Sequence, residues 1–193
     1  MKTLLLVDIG NTSTSVALSR GGRIGHIAFR DSNRLCRRGE ILEFLRPVIR
    51  RGAVNDAVLA SVVPWMNTAW VRALGRVTGR APLVVTHRIE LGVKVDYPKP
   101  ATIGADRLAN ASAAVERYGR PVVVADFGTA VTFDIVSNKG VYIGGVIAPG
   151  LPLMTDYLYE KTELLPHIHL RGHFGIVGRS TVEAMRIGAK IGY

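Results

Sequence analysis

Two segments of the chain contain residues suited to phosphate and metal chemistry, and the segments resemble each other. The first is an apolar run, then DIGNT at residues 8–12, then another apolar run; the second repeats this plan around DFGT at 126–129. A carboxylate at a strand end can hold a cation, and a glycine turn lets backbone N–H groups approach phosphate oxygens. Two ordinary β-hairpins would use the same residue types. The duplication favours a two-lobed phosphotransferase that holds a nucleotide between its halves.

A further group of candidate residues lies at 96–107, DYPKPATIGADR. The prolines favour an extended loop, and Gly104 begins a predicted helix. Asp106 then lies in the first turn of that helix, where the helix dipole and the neighbouring Arg107 favour its ionised form. Such a carboxylate can accept a proton from a substrate hydroxyl, and the arginine can bind a carboxylate or phosphate in a bidentate manner. A simple helix-start aspartate beside an exposed arginine is an equal alternative.

Two weaker patterns lie near residues 167–180. The run from His173 to Ser180 resembles a phosphate-binding loop, but it lacks the first glycine and the lysine that such loops use. His167, His169 and His173 are close enough in sequence to suggest a metal site. Since no acidic or thiol ligand is near them in sequence, we favour a solvent-facing loop.

Composition narrows the class of protein. The chain has 193 residues, of which 48% are hydrophobic and 21% charged, which is typical of a well-buried globular protein. Its net charge of +10 comes from basic residues spread along the chain, and no nucleic-acid-binding motif accompanies them. Small anionic ligands are therefore favoured over nucleic acid as binding partners. No apolar run approaches the roughly 20 residues of a membrane span. Asp8 interrupts the N-terminal apolar stretch, so we predict that this stretch is a β-strand. The single cysteine, Cys36, predicts no internal disulfide and a cytoplasmic location.

Hydrophobic periodicity predicts two α/β lobes, 1–117 and 118–193. In the first lobe we expect strands at 3–9, 13–19, 23–29, 56–62 and 82–86 and helices at 36–51, 65–78 and 104–118. In the second lobe we expect strands at 121–126, 130–136 and 141–147 and helices at 151–163 and 180–192. The order β-β-β-α-β-α is that of the ribonuclease-H-like unit of the acetate and sugar kinase, Hsp70 and actin superfamily. The predicted fold is therefore two ribonuclease-H-like (actin-like ATPase) lobes, the second incomplete.

Five motifs together resemble the type III pantothenate kinase family along the whole chain. They are DIGNT at 8–12, Tyr97 ahead of GADR at 104–107, DFGTAVTFD at 126–134, GGVIAPGL at 144–151 and STVEAM at 180–185. The resemblance implies ATP-dependent phosphorylation of pantothenate to 4'-phosphopantothenate, the first step of coenzyme A biosynthesis. A non-catalytic accessory or regulatory relative is the main alternative, and a sugar or acetate kinase of the same superfamily is the other.

The resemblance also implies a role for individual residues. Asp106 would be the catalytic proton acceptor, Asp126 would bind a monovalent cation (potassium or ammonium), and Asp8 would lie near magnesium. Pantothenate would contact Tyr97, Gly104, Ala105, Asp106, Arg107 and Thr181. ATP would contact Asp8, Ile9, Gly10, Asn11, Thr12, Ser13, Thr14, Ser15 and Thr129.

Two expectations concern assembly and length. The family places its pantothenate pocket at a homodimer interface. The predicted helix at 104–118 is rich in small residues that would allow a partner helix to approach: Ala105, Ala109, Ala111, Ser112, Ala113 and Ala114. We therefore predict a homodimer joined through this helix. Members of the family extend several tens of residues further, so we expect a shortened second lobe.

Overall fold

A computed structural model describes residues 2–50, 53–171 and 175–192. The chain forms two compact units, Met1–Val122 with Ile135–Gly144, and Val123–Asp134 with Gly145–Tyr193. The architecture is mixed α/β, which confirms the predicted fold class. The lobe boundary predicted between residues 117 and 118 stays a prediction.

The first unit is built on a six-stranded sheet. Its strands are β1 (Thr3–Ile9), β2 (Ser13–Arg20), β3 (Arg23–Ile24), β4 (Ala28–Asp31), β5 (Asp56–Ser61) and β6 (Leu83–Val84). The order is β3-β2-β1-β5-β6, and β4 also pairs with β2. β1 is antiparallel to β2 and parallel to β5, and β5 is parallel to β6. This is the arrangement expected of a ribonuclease-H-like unit.

The single strand predicted at 23–29 is wrong, because the segment forms two short strands. β3 pairs Ile24 with Ser19, whereas β4 pairs Ala28 with Val16. Three residues, 25–27, therefore lie opposite two residues of β2. This is the register change of a β-bulge, which interrupts the ladder and bends the strand.

Two helices cover one face of this sheet. α1 (Arg38–Ile49) and α2 (Pro64–Thr78) confirm the helices predicted there, with slightly shorter ends for α1. α2 begins with a proline in its first turn and ends at Gly79, whose φ of 73° is the usual left-handed helix end. The inward residues of β1 pack against these helices in a core centred on the fully buried Trp70 and Leu45.

A second hydrophobic cluster of the first unit surrounds α3 (Ala105–Tyr118). Leu108 and Ala111 of this helix pack with Tyr142 and Val136, all of them almost fully buried. A short strand that the sequence had not predicted, β7 (Lys94–Val95), pairs with Val141 and Tyr142.

The remaining elements follow the predictions closely. β8 (Val122–Phe127), β9 (Ala130–Val136) and β10 (Val141–Pro149) join β7 in a four-stranded sheet of order β7-β10-β9-β8. α4 (Leu151–Glu160) and α5 (Thr181–Ile191) confirm the last two helices, each shorter than predicted. Within the part of the chain that the structure describes, no helix is long and apolar enough to cross a membrane.

Candidate active site

The first turn projects its polar residues into solvent. Along β1 the side chains alternate, so Val7 and Ile9 enter the core and Asp8 is exposed on the other face. The N–H of Gly10 donates to the carbonyl of Ser13 at 3.0 Å, and a Cβ at Gly10 would lie 3.0 Å from the same oxygen. Glycine therefore permits this tight closure. Asn11, Thr12 and Ser13 are all exposed, as a ligand-binding turn requires.

Ser32 holds this turn from behind. Its backbone N–H donates to the carbonyl of Thr12 at 3.0 Å, and its hydroxyl donates to the carbonyl of Gly10 at 2.6 Å. The hydroxyls of Ser32 and Thr14 are 2.9 Å apart; since the Ser32 proton is already used, Thr14 must donate in this pair. Both residues are almost fully buried. Ser32 thus fixes three positions around the turn.

The buried members of the predicted ATP-binding segment have a different role from the exposed ones. The side chains of Ile9 and Thr14 are fully buried, one in the core and the other against Ser32. Only their main chain could contact a ligand.

A chain of contacts connects the first turn to the start of α3. The N–H of Val62 donates to the carbonyl of Ile9 at 3.0 Å, directly after β5. A Cβ placed on Gly104 would lie 3.3 Å from Cγ1 of the same Val62. The Asp8 turn and the GADR motif therefore lie at one edge of the sheet, where the parallel strands β1 and β5 have their carboxyl ends. In open α/β sheets this edge is the usual ligand site.

The GADR motif forms the first turn of α3, as predicted. Gly104 is the N-cap, and Asp106 follows in the first turn. Oδ1 of Asp106 accepts a hydrogen bond from the N–H of Arg107 at 2.7 Å. A Cβ on Gly104 would collide with that Oδ1, so the glycine leaves room for the carboxylate. Asp106 and Arg107 are both half-buried.

Tyr97 lies over the first glycine of the GGVIAPG motif. Gly144 has a φ of 112°, and a Cβ there would lie 3.3 Å from the Tyr97 ring. The ring centroid of Tyr97 is 6.4 Å from that of the buried Tyr142. Gly144 thus adopts a positive φ that other residues rarely adopt, and its lack of a side chain leaves room for the Tyr97 ring.

The second turn is supported by the last glycine of the same motif. Asp126 is exposed near the end of β8, and the N–H of Gly128 donates to the carbonyl of Ala130 at 3.0 Å. The N–H of Gly150 donates to the carbonyl of Thr129 at 2.9 Å. A Cβ on Gly150 would collide with the backbone of Gly128 and Thr129. This close backbone packing holds the second turn against the start of α4.

Thr181 is exposed at the first position of α5, within the second unit. The hydroxyl of Ser180 accepts from the N–H of Glu183 at 3.2 Å, and the Glu183 carboxylate accepts from the N–H of Arg179 at 2.8 Å. Side-chain capping therefore sets where this helix begins.

Of the three histidines in the predicted metal pattern, His167 and His169 belong to the described residues, and His173 lies outside them. His167 has an acidic neighbour that the sequence did not predict, since its Nε2 is 3.3 Å from Oδ1 of Asp156. Its ring also meets that of His169 edge-on, 5.4 Å between centroids. Across residues 2–50, 53–171 and 175–192, no group of three or more His, Cys, Asp or Glu residues could hold a metal ion.

The structure brings the Asp8 turn and the GADR motif together within the first unit, while Asp126, Thr129 and Thr181 belong to the second. Sequence reasoning missed Ser32 and Val62, and it gave Gly144 and Gly150 no structural role. The glycine pattern of GGVIAPG was the only signal for the last two.

The fold and the turns define a class of protein first. A mixed sheet of ribonuclease-H-like order and two strand-turn-strand units with Asp-x-Gly turns are the features of the ribonuclease-H-like (actin-like ATPase) fold class. Among solved structures, a conserved Baf family protein from Campylobacter jejuni has the same fold, with a TM-score of 0.55 and 18% identity over 97% of this chain and 74% of that one.

Sequence comparison identifies the family. The sequence model of type III pantothenate kinases matches residues 4–193. A type III pantothenate kinase from Methylacidiphilum infernorum is 41% identical, over 98% of this chain and 67% of the relative. One from Akkermansia muciniphila is 43% identical, over 99% of this chain and 76% of the relative. The chain belongs to the type III pantothenate kinase family, as its motifs predicted.

Proposed function

We propose that this chain transfers the γ-phosphoryl group of ATP to the primary hydroxyl of pantothenate, producing 4'-phosphopantothenate for coenzyme A biosynthesis. Membership of the family supports the reaction. The observation that carries the assignment of the site is the shared sheet edge. There the Val62 contacts connect the Asp8 turn, suited to phosphates, with the helix start that bears Asp106.

In this proposal Asp106 is the proton acceptor. As the hydroxyl oxygen forms its bond to the γ-phosphorus, the bond from that phosphorus to the bridging oxygen of ADP breaks. The hydroxyl proton passes to Asp106. The hydrogen bond from the Arg107 N–H and the position in the first helical turn both stabilise the carboxylate form that can accept it. Phosphoryl transfer otherwise depends mainly on positioning and charge neutralisation.

The first turn is assigned to the phosphates of ATP. Asn11, Thr12 and Ser13 are exposed and can donate from side chains, while Ser32 keeps their backbone in place. In the second unit, Thr129 is assigned a similar role, on a turn that Gly150 supports. The main chain of Ile9 and Thr14 completes the first segment.

Two cations belong to the proposal. Asp8 is an exposed carboxylate beside the proposed phosphate turn, and hard oxygen ligands of this type suit magnesium, which would neutralise phosphate charge. Asp126, also exposed at a strand end, suits a monovalent cation such as potassium or ammonium. Since neither carboxylate belongs to a larger cluster of metal ligands among the described residues, water, main-chain carbonyls or phosphate oxygens would complete each shell.

Tyr97, Gly104, Ala105, Arg107 and Thr181 are assigned to pantothenate. The homodimer is part of the same proposal, because the family resemblance places this pocket at a subunit interface. Of the small residues on α3, Ala105, Ala111 and Ala114 are buried in the chain's own core. The hydroxyl of Ser112 donates to the carbonyl of Leu91 at 2.6 Å. Ala109 is partly buried against the same core, so a partner helix would meet the side of α3 that bears the exposed Ala113. A cytoplasmic location stays a prediction from the single cysteine.

A coupled assay tests the reaction directly. The chain is supplied with pantothenate, ATP, magnesium and potassium, and ADP release and 4'-phosphopantothenate are both measured. Turnover with pantothenate and none with sugars or acetate is the expected result. Folded protein without turnover would contradict the proposal and favour a non-catalytic role. Sedimentation at micromolar concentration tests the dimer, which a stable monomer active on pantothenate would contradict.

A further inference from the structure

A pocket of the first unit lies between the β2–β3 hairpin and the end of α1. Its volume is about 320 Å³, and its wall includes Leu18, Arg20, Arg23, Ile24, His26 and Val48. Pockets for small organic ligands typically measure roughly 300–1,000 Å³. The volume therefore suits a small organic molecule rather than a single ion.

The pocket lies at the opposite edge of the sheet from the Asp8 turn. Arg20 pairs with Thr3 at the beginning of β1, whereas Asp8 lies near the end of β1. At about 3.3 Å per residue, the eight residues of β2 separate the pocket from the first turn by roughly 20 Å. A small ligand bound in this pocket therefore does not reach the proposed phosphate turn.

Among the described residues of the pocket wall, the ionisable side chains are all basic: Arg20, Arg23 and His26, each of them exposed. Arg20 and Arg23 are cross-strand partners on either side of a tight turn, in which Gly21 and Gly22 have φ values of 57° and 79°. Side chains directly opposite each other lie on the same face of a sheet, and like charges in that position destabilise the pairing. An anion between the two guanidinium groups would offset their repulsion.

The rest of the pocket wall is mainly apolar. Leu18 and Val48 are buried, and Ile24 is 60% exposed. Leu18 and Arg20 are two positions apart on β2, so their side chains lie on the same face of the sheet. An apolar surface therefore adjoins the basic side chains. A ligand that joins an anionic group to an apolar body matches both parts of the wall, whereas an inorganic anion matches only one.

We propose that this pocket binds a small organic anion, a phosphate ester or a carboxylate with an apolar body, at a site separate from the proposed catalytic residues. The anionic group lies between Arg20 and Arg23, each of which can bind it through two parallel N–H donors. The apolar body contacts Leu18 and Ile24. The proposal does not depend on the proposed function, because none of these residues is assigned to ATP or pantothenate.

An amide NMR titration of the chain locates the bound anion. Phenyl phosphate and benzoate carry the two kinds of anionic group on the same apolar ring, and inorganic phosphate carries the charge alone. The titrations use about 0.15 M salt, which screens long-range attraction between exposed charges. At least one of the aromatic anions should shift the Gly25 amide signal with a Kd on the order of 1 mM, and the tighter of the two identifies the anionic group. Inorganic phosphate should bind at least about threefold more weakly, because it lacks the apolar contact.

Two results of these titrations would overturn the inference. Shifts confined to the amide signals of Gly10 and Thr12 would place the anions at the first turn instead. Equal affinity for inorganic phosphate and for the aromatic anions would show that the apolar wall takes no part in binding.

Substitutions separate recognition by the pocket from the general positive charge of the chain. Arg23→Gln should raise the Kd of the aromatic anion about tenfold, in the range of a lost charged hydrogen bond. Ile24→Ser should raise it about threefold and leave the Kd of inorganic phosphate unchanged, since it removes only apolar surface. Arg72→Gln is the matched control, because it removes one positive charge from an exposed position of α2 outside the pocket.

Thermal unfolding of each variant reports whether the fold is kept. If Arg72→Gln weakens binding as much as Arg23→Gln does, the attraction comes from net charge and the inference is overturned. A Gly25 shift that never saturates would overturn it as well.

Discussion

Replacing Ser32 with alanine should loosen the first turn, with effects on both stability and ATP binding. The substitution removes the hydroxyl that donates to the Gly10 carbonyl at 2.6 Å and accepts from Thr14 at 2.9 Å. The backbone hydrogen bond from Ser32 to Thr12 remains. The turn would then be held by one of its three contacts with Ser32.

The burial of Ser32 and Thr14 sets the size of the expected loss in the free energy of unfolding. Ser32 is 2% exposed and Thr14 is 0% exposed, so water does not readily replace the lost bonds. Each buried polar group left without a partner costs about 1–3 kcal/mol. With the Thr14 hydroxyl and the Gly10 carbonyl both affected, we expect the free energy of unfolding to fall by about 2–4 kcal/mol, a large share of the roughly 5–15 kcal/mol of a typical domain.

Urea unfolding of a double-mutant cycle measures this effect. Thr14→Val removes the other hydroxyl at nearly constant shape, and the double variant leaves neither partner buried alone. Its loss should be smaller than the sum of the single losses by about 1 kcal/mol, because the two hydroxyls interact directly. Strictly additive losses would refute the proposed hydrogen-bond pair.

The functional part of the prediction uses steady-state kinetics. In Ser32→Ala, KM for ATP should rise about tenfold, equivalent to about 1.4 kcal/mol, while KM for pantothenate changes less than about twofold. Ser112→Ala is the matched control, since it also removes a serine hydroxyl that donates to a distant carbonyl at 2.6 Å. If Ser112→Ala raises KM for ATP as much as Ser32→Ala does, the effect reflects general destabilisation and not the turn.

Three further substitutions test the remaining assignments. Asp106→Asn should lower kcat by about 10²–10⁴-fold, as expected for loss of a general base, and should leave the binding of an ATP analogue intact. Near-normal turnover in the coupled assay would show that Asp106 is not the proton acceptor. Asp8→Asn should weaken binding of the magnesium–nucleotide complex in a titration. An unchanged affinity would show that Asp8 does not bind the magnesium ion. Gly150→Ala should lower the melting temperature and ATP affinity, because its Cβ collides with the backbone of the second turn. Gly188→Ala in α5 is the control for Gly150→Ala. A Cβ at position 188 has no atom within 4 Å, so this substitution should be neutral or should stabilise the fold by about 0.5–1 kcal/mol.

Local features of the site could be predicted from the sequence. The Asp-x-Gly turns fall between β1 and β2 and between β8 and β9, and GADR begins α3, because turn chemistry and hydrophobic periodicity act over a few neighbouring residues. Family membership was predictable for a related reason, since short motifs in a fixed order are written in the sequence itself. The same local signals failed at residues 25–27, where a shift in pairing register splits one apolar run into two strands.

Only the tertiary structure decided which residues support the site. Ser32 reaches Gly10 across 22 positions. Val62 donates a backbone hydrogen bond to the carbonyl of Ile9, and its side chain lies beside Gly104. Gly150 meets the second turn through backbone atoms that carry no sequence signature. Such contacts depend on strand register and helix packing, and these are set by the burial of the whole core rather than by any local run of residues.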